Sequence, residues 1–221
     1  MTNTEQARYN MIEQQIRPWE VLDQRVLDVI AQTPRENFVP ERYRALAFAD
    51  IRIPLGHGQV MMNPNVEGRL LQALSLLPSD DVLEIGTGSG YVTACLARLG
   101  RQVTSIDIFA EFTETARDRL AGYGLRNLQL RTGDALGDPA TVDDGKLYDA
   151  IAVTGSMPVL PPEWQQRLKP GGRLFVITGQ APIMEAWLIT RTGDQEWTRE
   201  SLFDTELPPL LHTHHTPAFE F

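Results

Sequence analysis

The chain has 221 residues, of which 42% are hydrophobic and 22% are charged, a composition that is typical of globular proteins and excludes a disordered one. No apolar stretch reaches the roughly 20 residues that span a bilayer, and the first residues have no apolar signal core, so we expect neither a membrane span nor a secretion signal. The net charge of −9 repels phosphate backbones, so nucleic acid is not an expected partner. A single cysteine, Cys95, excludes an internal disulfide and favours a cytoplasmic location.

The first third of the chain predicts helices. Apolar periodicity predicts a helix over residues 5–16, ended by Pro18, and a second helix through residues 26–30. Residues 33–36 (TPRE) have an N-cap threonine, a first-turn proline and a capping-box glutamate, which predict a short third helix. Residues 50–62, rich in glycine and β-formers, predict a loop or short strand.

A further helix, and then an alternating pattern, follow. Asn63 and Pro64 predict the start of a helix whose apolar side carries Val66, Leu70, Leu71, Leu74 and Leu77. Beyond Asp81, five short apolar runs (VLEI, QVTSI, LQL, YDAIAV and RLFVIT) alternate with helical patterns at residues 90–99, 110–121 and 162–168. This alternation predicts a parallel sheet covered on both faces, and residues 184–202 predict a terminal antiparallel hairpin that turns at Gly193 and Asp194.

The predicted fold class is therefore α/β. We expect a helical cap over residues 1–75, and a doubly wound, Rossmann-like core over residues 76–221 that ends in the antiparallel hairpin.

A glycine-rich run follows the first predicted strand and indicates a ligand site. Glycines let the backbone turn sharply and approach a ligand, and the helix that follows offers free N–H groups. The dinucleotide fingerprint is G-x-G-x-x-G, whereas the glycines here run G-x-G-x-G and Tyr91 stands at the third glycine's place. The shorter form, with an acidic residue before it, resembles the first motif of S-adenosylmethionine methyltransferases. The predicted contacts here are Glu84, for the amino-acid end of the cofactor, and Gly86, Thr87, Gly88, Ser89 and Gly90.

Acidic residues end the next two strands. Asp107 follows the second strand, where a carboxylate can accept both ribose hydroxyls, and Asp134 follows the third, where methyltransferases of this type hold the adenine amino group. Each residue alone could cap a helix or a loop, but all lie at successive strand ends, the edge at which open α/β sheets bind ligands. Ile108, Ala135 and Thr154 complete the predicted set of cofactor-binding residues.

With these residues placed, the chain resembles the protein-L-isoaspartate O-methyltransferase family over nearly its whole length. The resemblance is carried by MIEQQIRPWEVLDQRVL, PRENFVPERYRALAFAD, IPLGHGQ, VLEIGTGSGYVTACLA and YDAIAVTGSMPVLPPEWQQRLKPGGRL. It implies methyl transfer from S-adenosylmethionine to the free carboxylate of a damaged aspartyl residue in a protein or peptide, the first step of repair. It also implies that Asp50, His57, Gln59 and Met62 lie on the substrate side.

The resemblance identifies IPLGHGQ (residues 53–59) as part of the family's substrate loop. This loop departs from the family pattern. Family members typically continue G-Q-T-I-S, and the serine is placed to contact the substrate carboxylate. Here Val60 and Met62 stand at the threonine and serine positions, and a thioether cannot donate a hydrogen bond to a carboxylate. No catalytic residue is therefore assigned. A carboxylate that is already ionised at neutral pH needs no general base, only in-line positioning and removal from water.

Three other functions remain open on the sequence alone. A diverged relative would methylate another acceptor, and a binding protein would hold the cofactor without turnover. An NAD-linked oxidoreductase is disfavoured because Tyr91 interrupts its fingerprint. His212, His214 and His215 lack accompanying ligands at metal-binding spacing, so no metal is expected.

Overall fold

A seven-stranded sheet with helices packed against both faces forms the body of the protein, in a computed structural model that describes residues 2–142 and 144–213. The helices are α1 Asn3–Met11, α2 Gln24–Gln32, α3 Pro64–Leu74, α4 Tyr91–Leu99, α5 Ala110–Ala121, α6 Pro139–Val142 and α7 Pro162–Gln166. The strands are β1 Ile53–Gly56, β2 Gln59–Met61, β3 Asp81–Ile85, β4 Gln102–Asp107, β5 Leu128–Thr132, β6 Tyr148–Met157, β7 Leu168–Gln180, β8 Ile183–Arg191 and β9 Trp197–Asp204.

The strand order places a switch point at the middle of the sheet. The order is β5-β4-β3-β6-β7-β8-β9, with parallel pairs from β5 to β7 and antiparallel pairs beyond. The chain runs outward from β3 to β5 and returns beside β3 with β6, so a crevice opens between their carboxyl ends. The predicted Rossmann-like sheet with a C-terminal antiparallel hairpin is confirmed, and β1 pairs with β2 in a separate hairpin.

Strand side chains alternate between two apolar layers, because successive residues of a strand point to opposite faces. Val82, Val103 and Phe175 pack on the face that carries α1 to α4, whereas Leu83 and Leu174 pack on the face that carries α6 and α7. The first layer also contains apolar residues of the predicted cap, namely Met11, Ile30, Leu70 and Leu74. Cap and sheet thus share one continuous core, and the boundary at residues 75 and 76 stays a prediction.

The N-terminal helices differ in detail from their predictions. The first α-helix ends at Met11, and the chain continues as a π-helical turn, Ile12–Ile16, and a 3-10 turn, Arg17–Trp19. The short helix predicted to begin at residues 33–36 starts later than expected, because Thr33 is the C-cap of α2 and not an N-cap, and its hydroxyl donates to the Val29 carbonyl at 2.7 Å. Only a 3-10 turn, Arg35–Asn37, follows.

Helix α3 begins at the predicted proline and ends one turn early. Ser75 takes a left-handed conformation (φ 45°) as its C-cap, so Leu77 lies outside the helix and is exposed. Asn63 does not cap α3 with its side chain, which donates to Asp50 at 2.9 Å instead. Across residues 2–142 and 144–213, no helix combines the length and apolar character needed to cross a membrane.

Candidate functional site

A cleft of about 610 Å³, which includes volume open to solvent, lies at the carboxyl ends of β3 to β6. Predicted residues that line the cleft are Gly86, Gly88, Asp107, Ile108, Asp134, Ala135, Thr154 and Gln59. Further lining side chains that the sequence did not suggest are Leu55, Phe109, Phe112, Leu136, Leu210 and Leu211.

Two glycines of the loop after β3 shape the floor of the cleft. Gly86 has φ 98° and Gly88 has φ 50°, which are left-handed conformations that L side chains rarely adopt. A β-carbon on Gly86 would collide with the Thr154 hydroxyl, and one on Gly88 would lie 3.2 Å from Leu55 Cδ1. Glycine is therefore required here both by the turn and by the close approach of neighbouring atoms.

Asp107 is the acidic group at the centre of this floor. Its two carboxylate oxygens accept main-chain N–H groups, Oδ2 from Gly88 at 2.9 Å and Oδ1 from Phe109 at 3.0 Å. Burial raises the pKa of Asp107, while these N–H donors act to lower it. Each oxygen keeps a second acceptor position, so an oriented carboxylate beside a glycine cradle suits the two hydroxyls of a ribose. The hydrogen-bonding groups of the cleft therefore fit a nucleoside-containing cofactor.

Asp134 lies at the far end of the cleft and is already engaged. Its Oδ1 accepts the main-chain N–H groups of Leu136 and Gly137, at 3.0 and 2.8 Å, and its Oδ2 pairs with His212 Nδ1. Burial acts to raise the pKa of Asp134, but the hydrogen bonds from Gly137, His212 and Leu136 outweigh it and lower the pKa. Asp134 is thus an ionised acceptor at the edge where a base would lie.

Glu84 does not reach the cleft, contrary to its predicted contact with the amino-acid end of the cofactor. It alternates with Leu83 and Ile85, so its side chain points to the face that α4 covers, where it is fully buried. Its Oε2 accepts hydroxyl groups from Thr93 and, at 2.6 Å, from Ser105, while Oε1 has no partner. Burial raises the pKa of Glu84 to about 8.

The other predicted residues of the glycine loop do not line the main cleft. One of them caps a helix, and two line a second pocket. Gly90, at φ 83°, is the N-cap of α4 and packs against Ala116, and it lines neither pocket. Thr87 and Ser89 line the second, smaller pocket instead of the main cleft. Thr87 is bonded to Ser105 at 2.6 Å, and Ser89 Oγ accepts the Tyr91 N–H at 3.3 Å.

The β1–β2 hairpin covers the cleft from the cap side. His57 at its tip has φ 53° and stacks on Phe109, with ring centroids 4.1 Å apart, while its Nε2 lies 3.0 Å from Glu111 Oε2. Gln59 reaches across to the Pro209 carbonyl at 3.3 Å. His57 thus holds the hairpin against Phe109 and Glu111 and does not line the cleft. Asp50 lines neither pocket, and its carboxylate accepts a hydrogen bond from the Asn63 side-chain amide.

The smaller pocket has a volume of about 290 Å³, which includes volume open to solvent, and lies beside the cleft. Met62 is buried and lines this pocket together with Val60, and its carbonyl accepts a hydrogen bond from Arg35 Nη2 at 2.6 Å. The two pockets share five lining residues, which are Leu55, Val60, Gly86, Gly88 and Thr154.

Glu67 and Arg35 belong to this region and were missed from the sequence. Glu67 lines the smaller pocket, and both its oxygens are bonded to the Arg35 guanidinium, at 3.0 Å from Nε and 3.2 Å from Nη2. Burial raises the pKa of Glu67 to about 7, against the lowering effect of Arg35. The sequence signal for Glu67 is its position beside Val66, within a predicted helix whose other inward-facing residues are apolar.

Among residues 2–142 and 144–213, no three His, Cys, Asp or Glu side chains lie close enough together to hold a metal ion. His212 pairs with Asp134, and His214 and His215 lie outside the described residues.

Comparison with known proteins gives one consistent result at the level of sequence. The sequence profile of the protein-L-isoaspartate(D-aspartate) O-methyltransferase family matches residues 6–212. Protein-L-isoaspartate O-methyltransferase 1 of Rhodopseudomonas palustris (strain HaA2) is 38% identical over 206 residues, which cover 92% of this chain and 82% of that protein. The protein-L-isoaspartate O-methyltransferase of Anaeromyxobacter dehalogenans (strain 2CP-C) is 40% identical over 195 residues, 87% of this chain and 91% of that protein.

Solved structures share the fold. A protein-L-isoaspartate O-methyltransferase from Plasmodium falciparum, in complex with S-adenosyl-L-homocysteine, superimposes with a TM-score of 0.78 at 18% identity, over 95% of this chain and 99% of that chain. A second structure named protein-L-isoaspartate O-methyltransferase gives a TM-score of 0.76 at 23% identity, over 93% of this chain and 65% of that chain.

Proposed function

The chain belongs to the protein-L-isoaspartate(D-aspartate) O-methyltransferase family, and on that premise we propose that it methylates the free carboxylate of isoaspartyl residues in proteins or peptides. The observation that carries the proposal is the extent of the match, residues 6–212, which includes the N-terminal segments and the substrate loop as well as the glycine loop. An NAD-linked oxidoreductase does not account for a match over the N-terminal segments, and the assay below distinguishes isoaspartyl methylation from a diverged acceptor or a cofactor-binding protein without turnover.

S-adenosylmethionine supplies an electrophilic methyl group on a sulfonium. The acceptor carboxylate oxygen forms the new bond to that carbon, the carbon–sulfur bond breaks, and its electron pair stays on sulfur. The products are a methyl ester and S-adenosylhomocysteine. No proton has to move, because a carboxylate is ionised at neutral pH.

The chain's own task is then positioning and exclusion of water. Asp107, held by Gly88 and Phe109, is the residue we assign to the ribose hydroxyls. The β1–β2 hairpin forms a wall of the cleft through Leu55, Gln59 and Val60, and withdraws the reacting atoms from solvent. Alignment and desolvation of this kind can supply several kcal/mol of transition-state stabilisation.

The test is transfer of labelled methyl from S-adenosylmethionine to a synthetic peptide that contains one isoaspartyl residue. The same peptide with a normal aspartyl residue is the control, and the product should be a base-labile ester. Binding of S-adenosylmethionine without any transfer to isoaspartyl peptides would contradict the proposed acceptor.

A further inference from the structure

The smaller pocket contains a single titratable side chain, Glu67, among its described lining residues. The remainder of the lining is apolar or neutral: Leu55, Val60, Met61, Met62, Gly86, Thr87, Gly88, Ser89, Val92 and Thr154. Glu67 is only 2% exposed, and a carboxyl group in such surroundings favours a cationic or proton-donating ligand over an anion.

Arg35 does not reverse this preference, because four of its five N–H donors are engaged within the protein. Its Nη1 donates to the Ala47 carbonyl at 2.7 Å, its Nη2 to the Met62 carbonyl at 2.6 Å, and the remaining bonds go to Glu67. Arg35 is fully buried and does not line the pocket. The guanidinium therefore holds the Glu67 carboxyl in place, and that carboxyl keeps further acceptor positions for a ligand.

The pockets are adjacent and share lining residues, so an elongated ligand that passes the glycine loop would reach both. Their shared wall includes the glycine loop at Gly86 and Gly88. Asp107 is bonded to Gly88, which lines both pockets, so a ligand whose ribose is held by Asp107 can extend its 5′ substituent along this loop. In S-adenosylmethionine that substituent ends in an α-ammonium and an α-carboxylate.

We propose that Glu67, oriented by Arg35, binds the α-ammonium group of the cofactor's amino-acid end in the smaller pocket. The inference rests on the proposed function only in taking S-adenosylmethionine as the cofactor. It assigns to Glu67 the contact that the sequence alone suggested for Glu84, which points away from both pockets.

The test is a binding cycle measured by calorimetry with no acceptor present, so its outcome is independent of isoaspartyl methylation. Three ligands are compared: S-adenosylhomocysteine, its deaminated analogue that keeps the carboxylate, and methylthioadenosine, which lacks the whole amino-acid end. Wild-type protein should bind S-adenosylhomocysteine about tenfold or more tightly than the deaminated analogue. Glu67→Gln should abolish that difference and leave methylthioadenosine binding within about twofold of wild type.

Methylthioadenosine also reports that the variant is folded, which matters because Glu67→Gln leaves the buried Arg35 without its counter-charge. If Glu67→Gln does not fold, Glu67→Asp keeps the charge but withdraws it by one methylene, and should weaken S-adenosylhomocysteine selectively. Glu114→Gln, on the exposed side of α5, is the matched control and should change no affinity. Equal weakening of all three ligands, or a wild-type protein that does not distinguish the deaminated analogue, would overturn the proposal.

Discussion

Asp107 and Gly88 are joined by a hydrogen bond of 2.9 Å from the glycine N–H to the carboxylate, which ties the end of β4 to the loop after β3. This bond fixes the acidic side chain against the turn that forms the floor of the cleft. The organisation of the site therefore depends on both residues together, and each gives a separate prediction.

Asp107→Ala should weaken S-adenosylmethionine binding by at least about tenfold. The variant loses the charged acceptor for two ribose hydroxyls, and hydrogen bonds to a charged group contribute about 1.5–3 kcal/mol each. Calorimetry with S-adenosylhomocysteine checks this, with Asp118→Ala on the exposed surface of α5 as control. Unchanged affinity in Asp107→Ala would mean that the ribose lies elsewhere.

Gly88→Val should abolish measurable cofactor binding. The β-branched side chain resists φ 50° and would meet Leu55 in the space between the two pockets. Gly124→Val is the matched control, because Gly124 has φ 68° but no neighbour near its β-carbon. Both variants should lower the melting temperature, and only Gly88→Val should lose binding; equal effects on binding would show that backbone strain alone is responsible.

His57→Ala should weaken cofactor binding by about two- to tenfold, because the hairpin that covers the cleft loses its stack on Phe109 and its bond to Glu111. An aromatic contact contributes roughly 0.5–1.5 kcal/mol. His57→Phe keeps the stack and should retain most of the affinity, whereas Glu111→Gln separates the contribution of the Glu111 carboxylate. Wild-type affinity in His57→Ala would show that the hairpin holds its position without this contact.

Glu84→Gln should flatten the pH dependence of stability. Burial raises the pKa of Glu84 from 4.5 to about 8, so the folded protein keeps a proton that the unfolded chain releases. The contribution is fully present below pH 4.5 and is lost as pH rises through about 8. The free energy of unfolding should therefore fall less between about pH 5 and pH 8 in Glu84→Gln than in wild type, measured by denaturant titration.

The control for that measurement is Glu114→Gln, which removes an exposed carboxyl and should leave the wild-type slope unchanged. Parallel pH profiles for wild type and Glu84→Gln would show that Glu84 is ionised in the folded protein.

Met62→Ser should raise kcat/KM for isoaspartyl peptides, from a low wild-type value, by about ten- to hundredfold. A carboxylate that is desolvated on binding must regain hydrogen bonds, and one donor to a charged group contributes roughly 1.5–3 kcal/mol. Val60→Thr, at the threonine position of the same loop, is the comparison variant. Rapid wild-type turnover that Met62→Ser does not improve would show that the hydroxyl is dispensable in this chain.

The sheet and the cofactor loop could be predicted because their signals are local. Short apolar runs mark the strands, and the glycines at positions 86 and 88 and the acidic residue at 107 directly follow two of them. The strand period also predicts the orientation of Glu84, since alternation with Leu83 and Ile85 directs its side chain to the opposite face. The glycine-rich motif indicates a cofactor contact for Glu84, but the strand period does not.

The smaller pocket could not be predicted, because its parts meet only in the folded chain. Glu67 and Arg35 are separated by 32 residues, and His57 and Glu111 by 54. The capping box predicted at residues 33–36 does not form, and the Glu36 carboxylate pairs with Arg8 instead. Nothing in the local sequence specifies these partners.

Leu210 and Leu211 form part of the cleft wall, held there by a hydrogen bond from the Leu210 N–H to the Ser156 carbonyl at 2.8 Å. They lie beyond the last strand of the sheet, so they leave the ribosome after every other lining residue. A nascent chain can thus complete its sheet while the cleft still lacks one wall. Retention on immobilised S-adenosylhomocysteine would consequently separate chains that extend past residue 211 from shorter translation products with an intact sheet.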